Sequence, residues 1–269
     1  MIIEFFGPPA SGKTTLAHAL ASRLRDRGYM AKVILCYQPR SKGVGWDQFG
    51  AFSVIYRIFS ALFSITAILM SPIRDGYELN VSNRLVKIIP PEGIIWRVRL
   101  WQYIVRLSGR WKQARKSTDI TIFDQGFVQV VGSLAMFNGA ADDTSIAQAF
   151  HFAPQADLVV RMVVPRDVVE ARLRARMMSV PAAERLFEVD VAGNMRAFRV
   201  FDSIGDVLSK AHRNIVSIQP IDQQSTLSGL RRVEEEILAR LTPVGAPVIK
   251  RRQRRKELPA RRKRGKSEA

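Results

Sequence analysis

The sequence is poor in cysteine, and Cys36 is the only one in 269 residues. A single cysteine excludes a disulfide within the chain and suits a reducing compartment. The first residues also lack the basic start, long apolar run and cleavage site of a secretory signal, so we expect a cytoplasmic protein. Hydrophobic residues make up 47% of the chain, which excludes wholesale disorder and predicts a globular domain with a substantial core.

Acidic residues are also scarce: the chain has 24 of them and 42 basic residues, so the formal net charge is +18. Half of this excess lies in residues 40–118, where 13 basic and 4 acidic residues give +9. The other half lies in residues 250–269, where 11 basic and 2 acidic residues give +9. The excess charge therefore belongs to two segments and not to the whole surface.

Short apolar runs predict β-strands, and helical patterns separate most of them. The strands are expected at 2–6, 32–37, 120–123, 158–164 and 214–218. The helices are expected at 14–27 and at about 127–137, 166–178, 184–211 and 226–241. Strands that alternate with helices favour an α/β fold, in which a parallel sheet of about five strands is covered by helices on both faces.

Two segments lie outside this layout. Residues 40–118 separate the second strand from the third and are far longer than an ordinary connection. Residues 244–269 comprise a linker and a basic tail that we expect to be disordered. The predicted organisation is therefore one domain over 1–243 with a helical insert at about 40–118, followed by the basic tail over 244–269.

The stretch GPPASGKT, residues 7–14, has the spacing of a phosphate-binding loop between a strand and a helix. Glycine at its two ends allows backbone torsions and a close approach that a side chain would block. The loop amides attract phosphate oxygens, Lys13 reaches the β- and γ-phosphates, and Thr14 ligates Mg²⁺. We therefore expect a three-layer P-loop NTPase fold. The expected ATP-binding residues are Gly7, Pro8, Pro9, Ala10, Ser11, Gly12, Lys13, Thr14 and Thr15.

Asp124 directly follows the third strand, which we expect beside the first. Ligands of open α/β sheets bind at the carboxyl ends of the strands. Asp124 is therefore predicted to hold the magnesium ion or to accept the proton of an acceptor hydroxyl. The alternative is a capping role at the helix that starts near Gly126.

Arg172 and Arg176 follow the fourth strand and lie four residues apart, on one face of the predicted helix. Two guanidinium groups there would bind the triphosphate and stabilise the charge of the transferring group. The alternative is a solvated helix on which Arg166, Asp167 and Glu170 form surface ion pairs.

The phosphate loop, the aspartate after strand three and the R-x-x-x-R helix together resemble the thymidylate kinase family of P-loop kinases. The stretches AERLFEVDVAGNMRAFRVFDSI and IVSIQPIDQQSTLSGLRRVEEEILARL are similar to later parts of that family. The resemblance covers roughly residues 1–39 and 119–241. It implies an ATP-dependent kinase with a lid over the phosphates that carries Arg172, Arg176 and Arg185.

The sequence departs from the family pattern on the acceptor side. The family has a charged residue in the phosphate loop where this chain has Pro9 and Ala10. Its second strand ends in Arg-Glu-Pro, here Tyr37-Gln38-Pro39, and its third ends in Asp-Arg, here Asp124-Gln125. These differences predict the same architecture with another small-molecule acceptor, of nucleoside, nucleotide or sugar type, in place of thymidylate.

The insert has an apolar part and a basic part. Residues 49–70 are long enough to span a membrane and contain Arg57 as the only charge, but the insert has no equally apolar return span. Two interpretations stay open: a buried helix of a helical subdomain, and an interfacial surface at anionic lipid. Residues 84–116 mix basic and aromatic side chains, a pattern that fits attraction to polyanions or an anionic membrane, contact with a phosphorylated acceptor, and an amphipathic helix with a solvated face. The 250–269 tail is expected either to attract polyanions or to be solvated without a partner.

The leading hypothesis is an ATP- and Mg²⁺-dependent phosphotransferase that acts on a small-molecule acceptor. Its catalytic residues would be Lys13, Asp124, Arg172 and Arg176, and its metal ligands Thr14 and Asp124. The alternatives are a non-catalytic ATP-binding regulatory protein and a membrane-surface kinase with a lipid-linked acceptor. A homodimer stays among the expected assemblies.

Overall fold

The computed structural model describes residues 1–35, 76–179 and 191–241. Within these residues, five parallel strands form one sheet in the order β2-β3-β1-β4-β5. The strands are β1 (Ile2–Phe6), β2 (Ala31–Ile34), β3 (Ile120–Phe123), β4 (Leu158–Met162) and β5 (Ile215–Ile218). The helices are α1 (Lys13–Asp26), α2 (Gly76–Ile88), α3 (Ile94–Lys116), α4 (Phe127–Asn138), α5 (Asp143–Phe152), α6 (Arg166–Ser179), α7 (Val191–Lys210) and α8 (Gln223–Leu241).

The first strand lies at the centre of the sheet. It pairs with β3 on one side, where Ile3 lies opposite Ile122, and with β4 on the other, where Phe5 lies opposite Val160. All five residues of β1 are buried because helices cover both faces of the sheet. The phosphate-binding loop leaves the carboxyl end of this central strand, so the predicted α/β P-loop NTPase fold is confirmed.

Alternate residues of β1 enter two separate cores. Ile2 and Phe6 pack with side chains of α2, α3, α4, α5 and α7, whereas Ile3 and Phe5 pack with α1 and α8. This alternation follows from the two-residue period of a strand. Glu4 shares the face of Ile2 and Phe6 and is therefore a charged residue on a buried apolar surface.

The predicted element boundaries agree with the structure at β1 and β3 and differ elsewhere. The strand predicted over 158–164 ends at Met162, and Val164 instead packs in a small cluster with α6 and α7. The strand predicted over 32–37 is found at Ala31–Ile34, and residues after 35 lie outside the described part. Helix α5 was not predicted; its first turn is capped by Asp142, whose side chain accepts a hydrogen bond from Ser145 N–H at 2.8 Å.

The described part of the insert consists of α2 and α3, which are connected by a hydrogen bond of 2.7 Å from Trp101 Nε1 to Asn83 Oδ1. No described helix combines the length and apolar character that crossing a bilayer would require. The 49–70 segment and the 244–269 tail lie outside the described residues. Ile94 and Ile95 at the start of α3 are 76% and 69% exposed, and lipid contact through 84–116 stays a prediction.

Candidate active site

The loop from Gly7 to Gly12 makes a tight turn between β1 and α1. Gly7 has φ +145° and Gly12 has φ +90°, values that favour glycine. A Cβ atom on Gly7 would also lie 2.8 Å from the carbonyl oxygen of Met162 at the end of β4. The loop therefore needs glycine at its first position for torsion and for space.

The ammonium group of Lys13 is held inside this loop. Its Nζ donates to the carbonyl oxygens of Gly7 at 2.9 Å and Pro8 at 2.8 Å, and to Ser11 Oγ at 3.4 Å. Burial lowers the pKa of Lys13 to about 7, an effect that the negative charge of Asp124 opposes. The loop thus encloses a basic group at the start of a helix, and a bound phosphate would favour the protonated form of that group.

Asp124 lies against the phosphate loop, as the predicted neighbouring positions of the two strands require. The hydroxyl of Thr14 donates to Asp124 Oδ2 at 2.9 Å, and Asp124 is only 2% exposed. Gly126 occupies the N-cap position of α4, and the hydrogen bond with Thr14 places the Asp124 carboxylate beside the loop. Asp124 is therefore directed at the loop.

The hydroxyl of Thr14 and the carboxylate of Asp124 are hard oxygen ligands, which are the ligands that Mg²⁺ prefers. Their separation of 2.9 Å shows that both reach one point beside the loop. The described residues contain no cluster of three or more histidine, cysteine, aspartate or glutamate side chains that could hold a metal ion. Magnesium usually keeps water and phosphate oxygens in its coordination shell, so this pair fits such an ion.

Glu4 was missed as a site residue because it lies inside an apolar strand. Its Oε2 accepts a hydrogen bond of 3.0 Å from the backbone N–H of Val128, and the N–H of Phe127 also bonds to this carboxyl group. Helix amides in the first turn have no partner within the helix. Glu4 therefore caps α4 from the central strand, and the only local signal was an acidic residue in an apolar run.

Burial raises the pKa of Glu4 to about 8, against the lowering effect of the Val128 and Phe127 amides and of Arg213. The folded protein consequently keeps a proton that the unfolded chain loses above its ordinary pKa of 4.5. The stability that this proton provides is fully present below that value and is lost as the pH rises to about 8.

We expect the wild-type protein to lose about 2–5 kcal/mol of unfolding free energy relative to Glu4→Gln between about pH 5 and pH 8. Urea denaturation of both proteins at a series of pH values measures this difference. His212 and Arg213 line a cavity of about 160 Å³ beside Glu4 and are common to both proteins. Identical pH dependence in the two proteins would show that Glu4 does not titrate in this range.

The lid arginines are only partly described. Arg172 lies at the loop after β5, where its Nη2 donates to the carbonyl oxygen of Pro220 at 3.4 Å. The neighbouring Arg174 forms an exposed ion pair with Glu170. The side chain of Arg176 and the whole of Arg185 lie outside the described residues, so their roles over the phosphates stay predictions.

Ala10 of the phosphate loop makes an apolar contact with a cluster of side chains from α6 and α7. It packs against the cluster of Val164, Val169, Leu173 and Phe198, which joins α6 to α7. Its φ of +58° lies in the left-handed region, which costs a residue with a Cβ atom about 1–2 kcal/mol. The absence of a charge at this position therefore has a packing reason, which the sequence comparison with the family did not indicate.

Helix α3 reaches the carboxyl ends of two neighbouring strands, β2 and β3. Arg110 Nη1 donates to the carbonyl oxygen of Leu35 at 2.8 Å, just after β2. Tyr103 Oη donates to the carbonyl oxygen of Gln125 at 3.5 Å, just after β3. Arg106 lies between these two residues on α3 at helical spacing. A basic and aromatic helix face thus borders the turn that contains Asp124.

No family model matches the sequence, and a search of curated proteins gives no significant match. Among solved structures, the chain is similar to a thymidylate kinase from Ehrlichia chaffeensis, with 16% sequence identity and a TM-score of 0.39. The match covers 90% of this chain and 98% of that chain. A similarity of this size does not establish membership of a family, and the fold assignment rests on the sheet order and the loop that follows β1.

Proposed function

We propose that the protein is an ATP-dependent phosphotransferase that moves the γ-phosphate of ATP to a small-molecule acceptor. The observation that carries this proposal is the 2.9 Å hydrogen bond from Thr14 to Asp124, at the carboxyl ends of two adjacent strands beside the phosphate loop. A P-loop with a hydroxyl and a carboxylate at one point is the minimal arrangement for handling a nucleoside triphosphate with its metal.

Each residue has a distinct role in this proposal. The loop amides and Lys13 bind the β- and γ-phosphates and stabilise negative charge there. Thr14 and Asp124 would hold Mg²⁺, which would neutralise part of the phosphate charge. An acceptor oxygen attacks the γ-phosphorus, the bond to the β–γ bridging oxygen breaks and ADP leaves. Asp124 orients the acceptor or takes its proton, and Arg172 and Arg176 lie on the helix proposed to cover the phosphates.

The acceptor is proposed to bind between the β3–α4 turn and helix α3. Tyr103 and Arg110 already contact the backbone at the ends of β3 and β2. Arg106 adds a guanidinium group to the stretch of α3 between these two residues. This surface favours an acceptor with an anionic or strongly hydrogen-bonding group, such as a nucleotide or a sugar phosphate.

The experiment is a turnover assay of the full chain with ATP and Mg²⁺ against a panel of acceptors. The panel contains nucleosides, nucleoside monophosphates, sugars, sugar phosphates and a lipid-linked phosphate in detergent. We expect one class to raise ADP formation by about 100-fold or more over the acceptor-free rate, with a phosphorylated product detected by mass spectrometry. Removal of Mg²⁺ with EDTA serves as the control and should abolish turnover.

Two outcomes would change the proposal. Tight ATP binding without stimulation by any acceptor would favour the non-catalytic regulatory alternative. Stimulation by the lipid-linked compound alone would favour the membrane-surface kinase. Stimulation by a soluble acceptor supports the proposal as stated.

A further inference from the structure

Glu4 is held in a position where an apolar residue would cost less to bury. Its carboxyl group lies inside the core with 1% of the residue exposed, on the face of the sheet shared by Ile2 and Phe6. Burying an ionisable group carries a desolvation cost. That cost is offset by the Val128 and Phe127 amides, which would otherwise be buried without partners.

A second contact joins the same helical turn to the phosphate loop. The side-chain oxygen of Gln129 accepts a hydrogen bond of 3.2 Å from the backbone N–H of Gly7. Gln129 is 8% exposed, so water has little access to either partner. Gly7 is the first residue of the loop and lies tightly against Met162 of β4, so its position is set on two sides.

The Glu4 and Gln129 hydrogen bonds connect the same two parts of the chain. One part is β1 with the phosphate loop, and the other is the first turn of α4. Only Asp124, Gln125 and Gly126 separate β3 from this helix. The first turn of α4 therefore determines where the turn with Asp124 lies relative to the loop.

We propose that Glu4 and Gln129 are positioning residues that hold the phosphate loop and the β3–α4 turn in register, so that Thr14 and Asp124 face one metal–phosphate site. Both side chains accept hydrogen bonds from backbone amides, and they act through the elements that these amides belong to. The catalytic consequence rests on the proposed phosphotransfer, whereas the structural consequence can be measured without it.

The test uses two substitutions to methionine, which has a similar length and no strong acceptor. Glu4→Met removes the hydrogen bonds from the Val128 and Phe127 amides, and Gln129→Met removes the one from Gly7. Glu4→Gln keeps a neutral oxygen that can accept from Val128. Gln102→Met is the matched control, because Gln102 is a 4% exposed amide on α3. Steady-state kinetics with the stimulating acceptor and hydrogen–deuterium exchange of residues 7–14 and 124–129 are measured for all four.

We expect Glu4→Met and Gln129→Met to lower kcat by about 10–100-fold with the KM for ATP changed by less than about threefold. Glu4→Gln should stay within about threefold of the wild-type kcat. Exchange should rise in both the 7–14 and 124–129 segments of the two methionine variants. Gln102→Met should lower thermal stability without either effect.

The inference is overturned if kcat in the methionine variants matches that of Gln102→Met, or if exchange rises in only one of the two segments. If the wild-type chain transfers no phosphate, the proposed function fails and the exchange of the two segments alone decides the inference. If Glu4→Met does not fold, the comparison of Gln129→Met with Gln102→Met decides the inference.

Discussion

Asp124→Asn should lower kcat by about 10²–10⁴-fold while ATP still binds. The carboxylate accepts the Thr14 hydroxyl at 2.9 Å and is almost fully buried. Asparagine keeps the shape and one oxygen but removes the negative charge that balances a divalent cation and that would take a proton from the acceptor. The measurements are kcat with the stimulating acceptor and the ATP dissociation constant by calorimetry.

Asp119→Asn is the matched control for this substitution. Asp119 stands just before the other end of the same strand, where it forms an ion pair with Lys32 at 3.2 Å between half-exposed side chains. Loss of an exposed pair of this kind has little effect on stability. We expect its kcat to remain within about twofold of wild type. An Asp124→Asn protein with a third or more of the wild-type kcat would remove Asp124 from the mechanism.

Gly126→Ala should destabilise the fold by about 1–3 kcal/mol. A Cβ atom on Gly126 would overlap Glu4 Oε2 and would lie 2.8 Å from Glu4 Cβ. Neither atom can move easily, because Glu4 is buried and bonded to the amides of α4. The φ of −112° at Gly126 is open to alanine, so the cost arises from crowding and not from backbone strain. Urea denaturation gives the change in unfolding free energy.

Gly109→Ala provides a control, because it should raise the free energy of unfolding instead of lowering it. Gly109 lies inside α3, and an added Cβ atom would meet only Glu78 Oε1 at 3.6 Å, an ordinary contact. Alanine in a helix interior should stabilise the protein by about 0.5–1 kcal/mol.

The double variant Gly126→Ala with Glu4→Ala should lose less unfolding free energy than the sum of the two single variants. Additive costs would show that the two residues do not crowd each other.

The strands beside the site were predictable because each is buried on both faces and is therefore a continuous apolar run. This holds for β1 and β3, whose bounds agree with the structure. The place of Asp124 followed from the same pattern, because the carboxyl ends of neighbouring parallel strands meet at one edge of a sheet. The pairing of Ile3 with Ile122 confirms that β1 and β3 are neighbouring strands.

The support around the site was not predictable from local patterns. The partner of Glu4 is Val128, and the partner of Gly7 is Gln129, so each contact depends on tertiary structure that brings distant segments together. The periodicity of β1 shows that Glu4 faces the core but not which amide it meets. Ala10 was interpreted as a lost charge on the acceptor side, whereas its contact with Val169 and Leu173 depends on where α6 lies.

The central place of β1 has a consequence for the order in which the newly made chain can assemble. Ile2–Phe6 leaves the ribosome well before its two neighbours in the sheet, β3 and β4, and β2 also pairs with β3. The apolar strand β1 therefore has no strand to pair with until the insert has been synthesised. During this period the exposed strand is prone to aggregation. We expect the nascent protein to depend on chaperones until Phe123 has emerged, after which three strands can join at once.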